Sequence, residues 1–477
     1  MALNSLYYFI FFLLVFCINY FLNLKFRKYF LTLSSFVFIG FNHYESLFIL
    51  LMSISITFFL AKKIDNSKIE IIKKRYFRFS ILLSVFGLFL FKYFDSKSES
   101  FSVLTSDFKT ESVLYSLGIS FYTLQNISYL FDVYYKRISS HISFVNFTLF
   151  ASYFPKFIMG PITNPTDFLP QIDKSKIQKS FIFIGAQRIL LGIVKKTVIA
   201  DRLSVYVHFN FDLNNPTTGL TSLVTVFLFT IQLYFDFTGY MDIALGSSKM
   251  LGYDLKENFN FPLRAVSITD FWRKWYISLT SWLTERIYYP LSFKYRNHKR
   301  LGISFALLIT FLLSGIWHGV GFTFIIYALC HAIFMIIELY TISFRVKIAK
   351  YLPIRLYRYL CIFLTFNLVS FSFIFFRATS LEKSIQFIQS IFSIQNFIPT
   401  NWYLDFFSKL ATGGDQKHFF NLAITILLSC VFIVFEKSIF KNSVSEKLNI
   451  RSIIILFLTL SLFGAFTVQE QFIYNQF

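Results

Sequence analysis

Seven histidines are the chain's candidate acid-base groups, and their settings divide them. His43 and His418 fall in predicted turns, and His141, His208 and His298 in polar or interfacial stretches, where an exposed imidazole needs no special account. His318 and His331 lie instead within Leu301 to Tyr340, 40 residues without Lys or Arg. Polar side chains in such a stretch are costly and usually functional, and imidazole can exchange a proton near neutral pH. Around His318 the sequence reads S-G-I-W-H-G-V-G, so glycines let a backbone or a ligand come close to Trp317 and His318. A histidine hydrogen-bonded to a neighbouring helix is the plainer alternative for either residue.

A second constellation, D-F-W-R-K-W-Y-I-S-L-T-S-W-L-T-E-R-I-Y-Y from Asp270 to Tyr289, holds Trp272, Trp275 and Trp282 among Arg273, Lys274 and Arg286. An interfacial amphipathic helix with snorkelling cations accounts for it. A sharper reading has Arg273 and Lys274 meet an anionic, nucleotide-bearing donor from the cytoplasm. Asp236 and Asp242, in Y-F-D-F-T-G-Y-M-D, either neutralise nearby cations at the cytoplasmic rim or help to position His318 or the donor. Lys156 and Arg188 are further cations that could face an anionic donor. Cys17, Cys330, Cys361 and Cys430 lie in apolar runs without C-x-x-C spacing, which indicates packing residues and neither a disulfide framework nor a metal site.

The elements that carry these residues are membrane helices. Of the 477 residues 55% are apolar, 21% aromatic and only 15% charged, with a mean hydropathy of +0.58, which excludes a soluble globule and a disordered chain. The net charge of +21 is explained by basic cytoplasmic loops, which removes nucleic acid as a partner. The first apolar run, about Leu6 to Leu24, lacks a basic leader and an A-x-A site and reads as a retained helix. Lys25 to Lys28 and Lys62 to Arg78 are basic and belong inside, so Tyr29 to Ala61 crosses twice, turning near Asn42 to Glu45. Asp95 to Glu111, with four acids and two lysines, reads as outside.

Three apolar segments follow, at about 145–161, 181–200 and 219–238, yet Lys249 to Arg300 carries ten basic residues against four acids and reads as inside. Three crossings would end outside. One segment is therefore re-entrant or embedded, and 181–200, interrupted by Arg188, Lys195 and Lys196, is the best candidate; a solvated cavity would receive it. Leu301 to Tyr340 forms an in-out-in hairpin turning at the W-H-G sequence. Helices at about 359–376, 419–435 and 452–468 complete roughly eleven apolar segments in one membrane domain spanning 1–477, with both termini extracytoplasmic.

W-R-K-W-Y-I-S-L-T-S-W-L followed some forty residues later by G-I-W-H-G resembles the signature of the membrane-bound O-acyltransferase (MBOAT) family, in its bacterial alginate and peptidoglycan O-acetylation branch. Supporting matches are S-L-G-I-S-F-Y-T-L-Q from Ser116, F-P-K-F-I-M-G-P-I from Phe154, D-F-L-P-Q from Asp167, Y-F-D-F-T-G-Y-M-D-I-A from Tyr234, L-G-Y-D-L-K-E-N-F-N-F-P from Leu251 and F-F-R-A from Phe375, within a core at 110–380. The resemblance implies an all-α polytopic protein, a ring of about eleven tilted and re-entrant helices around a central tunnel, in the bacterial plasma membrane. It implies a transferase that moves an acetyl group from cytoplasmic acetyl-CoA, without a metal, toward an extracytoplasmic polysaccharide, working with an exported SGNH-type acetyltransferase.

By motif position His318 matches the family's invariant histidine, a general base for an acceptor hydroxyl. Where the branch usually carries a second histidine, this chain has Tyr276, a phenol that can donate a hydrogen bond to a carbonyl or oxyanion but is a poor base with an ordinary pKa of about 10. Trp272, Arg273, Lys274 and Trp275 are the expected donor-binding residues, and Trp317, Gly319, His331, Asp236 and Asp242 the expected tunnel lining. Transfer of D-alanine or another acyl group from a carrier protein to a cell-envelope polymer, a transporter, and a catalytically silent membrane scaffold remain the alternatives.

Overall fold

A computed structural model describes residues 3, 5–41, 44–93, 118–139, 142–211, 219–319, 321–392, 422–434 and 450–464. The acidic loop 95–111, His43, His141, His418, most of the basic stretch 437–451 and the C-terminal residues lie outside that set, so the expectations placed on them do too. Every regular element among the described residues is helical. The chain divides into two compact units, Met1–Leu190 with Tyr240–Lys256, and Leu191–Gly239 with Glu257–Phe477.

In the first unit, α1 (Leu6–Phe21), α2 (Leu24–Gly40), α3 (Tyr44–Asn66) and α4 (Glu70–Tyr93) follow one another through tight connections, with the α2 to α3 turn where the double crossing of 29–61 requires it. Ser5 caps α1 by accepting the Tyr8 N–H, which satisfies one of the donors a helix start leaves over. Large apolar side chains face outward on these helices: Phe21 is 84% and Phe48 71% exposed, which only a lipid environment accommodates. Next come α5 (Ile119–Tyr134), α6 (Phe144–Ser152), α7 (Pro165–Ile172) and α8 (Lys179–Val194).

The segment 145–161 does not form a span. Helix α6 stops after nine residues, and a short 3-10 turn at Phe154–Lys156 and irregular backbone follow, because Pro155, Gly160 and Pro161 interrupt helix propagation. In contrast, the segment expected to be re-entrant is helical throughout: α8 passes through a π turn at Lys195–Ala200 into α9 (Asp201–Phe211). Its embedded character is nonetheless real, since Arg188, Lys195 and Lys196 are all buried.

The second unit contains α9, most of α10 (Gly219–Met250), α11 (Ile268–Trp272), α12 (Ile277–Leu283), α13 (Tyr289–Lys294), α14 (Lys299–His318), α15 (Phe322–Tyr351), α16 (Ile354–Arg377) and α17 (Leu381–Ile391), then α18 (Leu422–Val434) and α19 (Ile450–Phe463). Among the described residues five helices are long and apolar enough to cross a bilayer: α3, α10, α14 with the turn before it, α15 and α16. The α14 to α15 hairpin reverses between His318 and Phe322, and its arms approach closely at a small residue, since a Cβ on Gly315 would stand 2.7 Å from the Phe324 carbonyl oxygen. At Gly319 an added Cβ would run into the Phe324 ring, so only glycine lets the chain turn directly after His318. The four cysteines are unbridged; Cys17 and Cys430 are exposed and Cys330 and Cys361 half-buried.

Candidate functional site

Tyr276 sits at the entry of α12 with φ 45° and ψ 55°, a left-handed conformation that costs a non-glycine residue roughly 1–2 kcal/mol. It persists because its surroundings determine it. The Asn258 carbonyl accepts the Ile277 N–H at 2.9 Å, and the Asn258 Oδ1 accepts the Ser278 N–H at 2.8 Å. The Asn260 N–H bonds the Lys274 carbonyl at 2.9 Å. Asn258 thus does for α12 what the Tyr276 side chain cannot: it satisfies the first N–H groups of the helix. The phenol ring is buried edge-on against Phe237 of α10, centroids 4.9 Å apart, and lies 6.4 Å from Trp317.

His318 is the last residue of α14, buried where the hairpin turns. Its ring is enclosed by Trp317 at 5.0 Å, Phe376 at 5.7 Å and Tyr327 at 6.0 Å, all edge-on. Trp317 therefore touches both His318 and Tyr276. A buried imidazole and a buried phenol that share one neighbouring ring offer one group that can take a proton and another that can hold an oxygen.

His331, fully buried on α15, has both nitrogens committed. The Trp272 indole N–H donates to Nδ1 at 3.2 Å, and Nε2 pairs with the Ser372 Oγ at 2.9 Å, while the Ser372 hydroxyl donates to the Val369 carbonyl at 2.7 Å. Indole only donates, so the ring proton is on Nε2 and the histidine is neutral. An imidazole wired in this way braces the packing and exchanges no proton with a substrate.

Beside these residues lies a cavity of about 760 Å³, lined by Trp272, Arg273, Thr280, Thr284, Phe311, Ser314, Glu338 and Arg345 among others. Ser314 stands one helical turn before His318. Of the four expected donor-binding residues, the structure brings Trp272 and Arg273 to this cavity. Lys274 is instead drawn to Asp270 at 2.7 Å, and Trp275 is wedged between Phe259 and Phe271 with centroids at 5.1 and 5.3 Å.

The two aspartates sit away from any exposed rim. Asp236 pairs with Lys196 at 2.7 Å, and Lys196 also meets Asp201 at 2.6 Å, all buried within the second unit. Within the first unit Asp242 pairs with Arg188 at 2.9 Å. Lys156 is held by Gln125 at 2.7 Å, by Thr163 and by the rings of Phe150 and Phe168. These three cations are met by protein groups, which offsets the cost of burying their charge.

The membrane-bound O-acyltransferase family profile matches residues 69–371. The chain is 32% identical over 398 residues to a peptidoglycan O-acetyltransferase of Helicobacter pylori, covering 77% of this chain and 74% of that one. It is 30% identical over 441 residues to a probable alginate O-acetylase of Pseudomonas aeruginosa, covering 90% and 81%. The chain belongs to the membrane-bound O-acyltransferase family. It is an acyltransferase, all-α and multi-pass in the membrane. A more distant MBOAT relative, a teichoic acid D-alanyltransferase of Bacillus subtilis, is 28% identical over 269 residues, covering 54% of this chain and 68% of that one.

Three residues that hold this candidate site together carry little that singles them out in the sequence. Asn258 lay unremarked inside L-G-Y-D-L-K-E-N-F, Ser372 carries no local signal, and Glu338 stands out in retrospect as the single charged residue of Leu301 to Tyr340. Asn258→Ala removes the acceptor for the Ser278 N–H. It is expected to cost about 1 kcal/mol of stability and to lower turnover by about tenfold, because Tyr276 is freed from its strained position. Thermal unfolding and kcat measured together check this, and an unchanged kcat contradicts it.

Proposed function

We propose that this acyltransferase moves an acetyl group from cytoplasmic acetyl-CoA across the plasma membrane for O-acetylation of an extracytoplasmic polysaccharide. One observation carries the reading: His318 and Tyr276, both buried, share the Trp317 ring, and a cavity bearing Trp272 and Arg273 reaches to one turn from His318. Arg273 supplies a cation for the donor's phosphates, and the apolar wall accepts its uncharged arm. The His318 imidazole takes the proton of an acceptor hydroxyl as that oxygen attacks the thioester carbonyl. The Tyr276 hydroxyl donates to the developing oxyanion. Collapse expels the thiolate, which recovers the proton from His318, leaving an O-acetyl ester and free thiol.

The names of the Helicobacter and Pseudomonas relatives support an acetyl group and a glycan acceptor. An exported SGNH-type acetyltransferase would complete delivery to the polysaccharide. Carrier-bound donor is the second reading, favoured by the match to the D-alanyltransferase. Purified protein in vesicles, given labelled acetyl-CoA and then the same acetyl group on an acyl carrier protein, separates them: transfer from the free thioester supports the proposal, and transfer from the carrier alone overturns it. In the same assay Tyr276→Phe, which keeps the ring and removes the hydroxyl, is expected to lower kcat by roughly 10²-fold. An unchanged kcat removes the phenol from the mechanism.

A further inference from the structure

Helix α11 has only five residues, too few to hold itself by its own hydrogen bonds, yet it leads directly into Arg273, Lys274, Trp275 and Tyr276. Its N-terminus is capped locally by the Ser267 Oγ, which accepts the Asp270 N–H at 3.0 Å, and its first two N–H groups are satisfied from another element. The Glu338 carboxylate accepts the Ile268 N–H at 2.5 Å, the Thr269 N–H at 3.1 Å and the Thr269 hydroxyl at 2.8 Å. Its C-terminal residue, Trp272, is held by His331. Glu338 and His331 stand seven residues apart on α15, two turns along one face. One turn before His331 on the same face, Tyr327 packs 4.9 Å from His331 and 6.0 Å from His318. A single face of α15 thus touches His318 at one end and grips both ends of the helix that delivers Tyr276.

We infer that Glu338 and His331 are positioning residues, which fix the distance between His318 and Tyr276 by clamping α11 to α15. The inference rests on the reaction proposed above. Neither residue needs to meet the reacting atoms. Glu338 also lines the cavity, so the competing role for it is direct contact with the donor, and the two roles differ in what they move. Loss of a clamp misplaces two reacting groups and lowers kcat; loss of a donor contact raises KM.

The test compares Glu338→Ala and Glu338→Gln by steady-state acetyl transfer and by amide hydrogen exchange of the purified protein. Glu338→Ala is expected to reduce kcat by about tenfold or more with KM within about threefold, and Glu338→Gln, which keeps one acceptor oxygen, to recover part of the loss. Exchange across 268–276 is expected to rise by about an order of magnitude while 303–317 keeps its protection. A change confined to KM, a glutamine variant as impaired as the alanine one, or unchanged exchange across 268–276 overturns the clamp. Exchange needs no acyl donor, so it decides the clamp even if the reaction assignment fails.

Discussion

His318→Ala is expected to abolish acetyl transfer, with kcat reduced by roughly 10²- to 10⁴-fold, the usual worth of a positioned general base. The rings around His318 belong to Trp317, Tyr327 and Phe376, none of them a base near neutral pH, and the nearby imidazole, His331, is committed to Trp272 and Ser372. Truncation of a ring enclosed on several sides also leaves a void, so His318→Gln, closer in size and without a basic nitrogen, separates chemistry from packing. Both variants are expected to fold and to bind donor, and both to be inert. Equal labelling of acceptor by wild type and His318→Ala, at matched amounts of folded protein, sinks the mechanism.

The largest effect on stability is expected at Lys196. Its ammonium lies 2.6 Å from Asp201 and 2.7 Å from Asp236, and all three side chains are 2% exposed. Lys196→Met removes the cation between two carboxylates, which then repel one another in a medium that screens them poorly. Breaking a buried pair in this way costs about 3–5 kcal/mol. Lys196→Arg keeps the charge and is expected to lose less. Adding Asp236→Asn to Lys196→Met removes the repulsion and should recover part of the loss. Thermal unfolding in detergent reads all three, and a Lys196→Met protein as stable as wild type contradicts the assignment. Because Asp236 precedes Phe237, whose ring buttresses Tyr276, activity is expected to fall with stability in this series.

Much of the architecture was legible from local pattern. Hydropathy and basic loops located the helices α2 and α3 and the α14 to α15 hairpin, since a span must be apolar along its length and a loop beside it carries its own charges. The turn at W-H-G was marked by its glycines, one of which is required by the Phe324 ring. Loop parity asks for one segment among three that does not cross, and apolar length alone does not show which one. Residues 145–161 are apolar enough to cross, but Pro155, Gly160 and Pro161 break them, and the charged segment 181–200 is helical, with Arg188 and Lys196 meeting carboxylates.

The sequence by itself determined that this is a polytopic helical membrane protein, where its hairpin turns, and which histidine stands at the turn. Those properties follow from residue type and spacing along one segment. Only the tertiary structure decided that Asp236 serves Lys196 and Asp242 serves Arg188, that His331 is braced by Trp272 and Ser372, that Lys274 and Trp275 turn away from the cavity, and that Asn258 and Glu338 hold the Tyr276 segment. Apart from Asp270 and Phe271, which lie four residues before Lys274 and Trp275, these partners lie far along the chain or on another helix. Hydrogen bonds and ion pairs are made by whichever groups the packing brings within about 3 Å, and no periodicity in a single segment records which those will be.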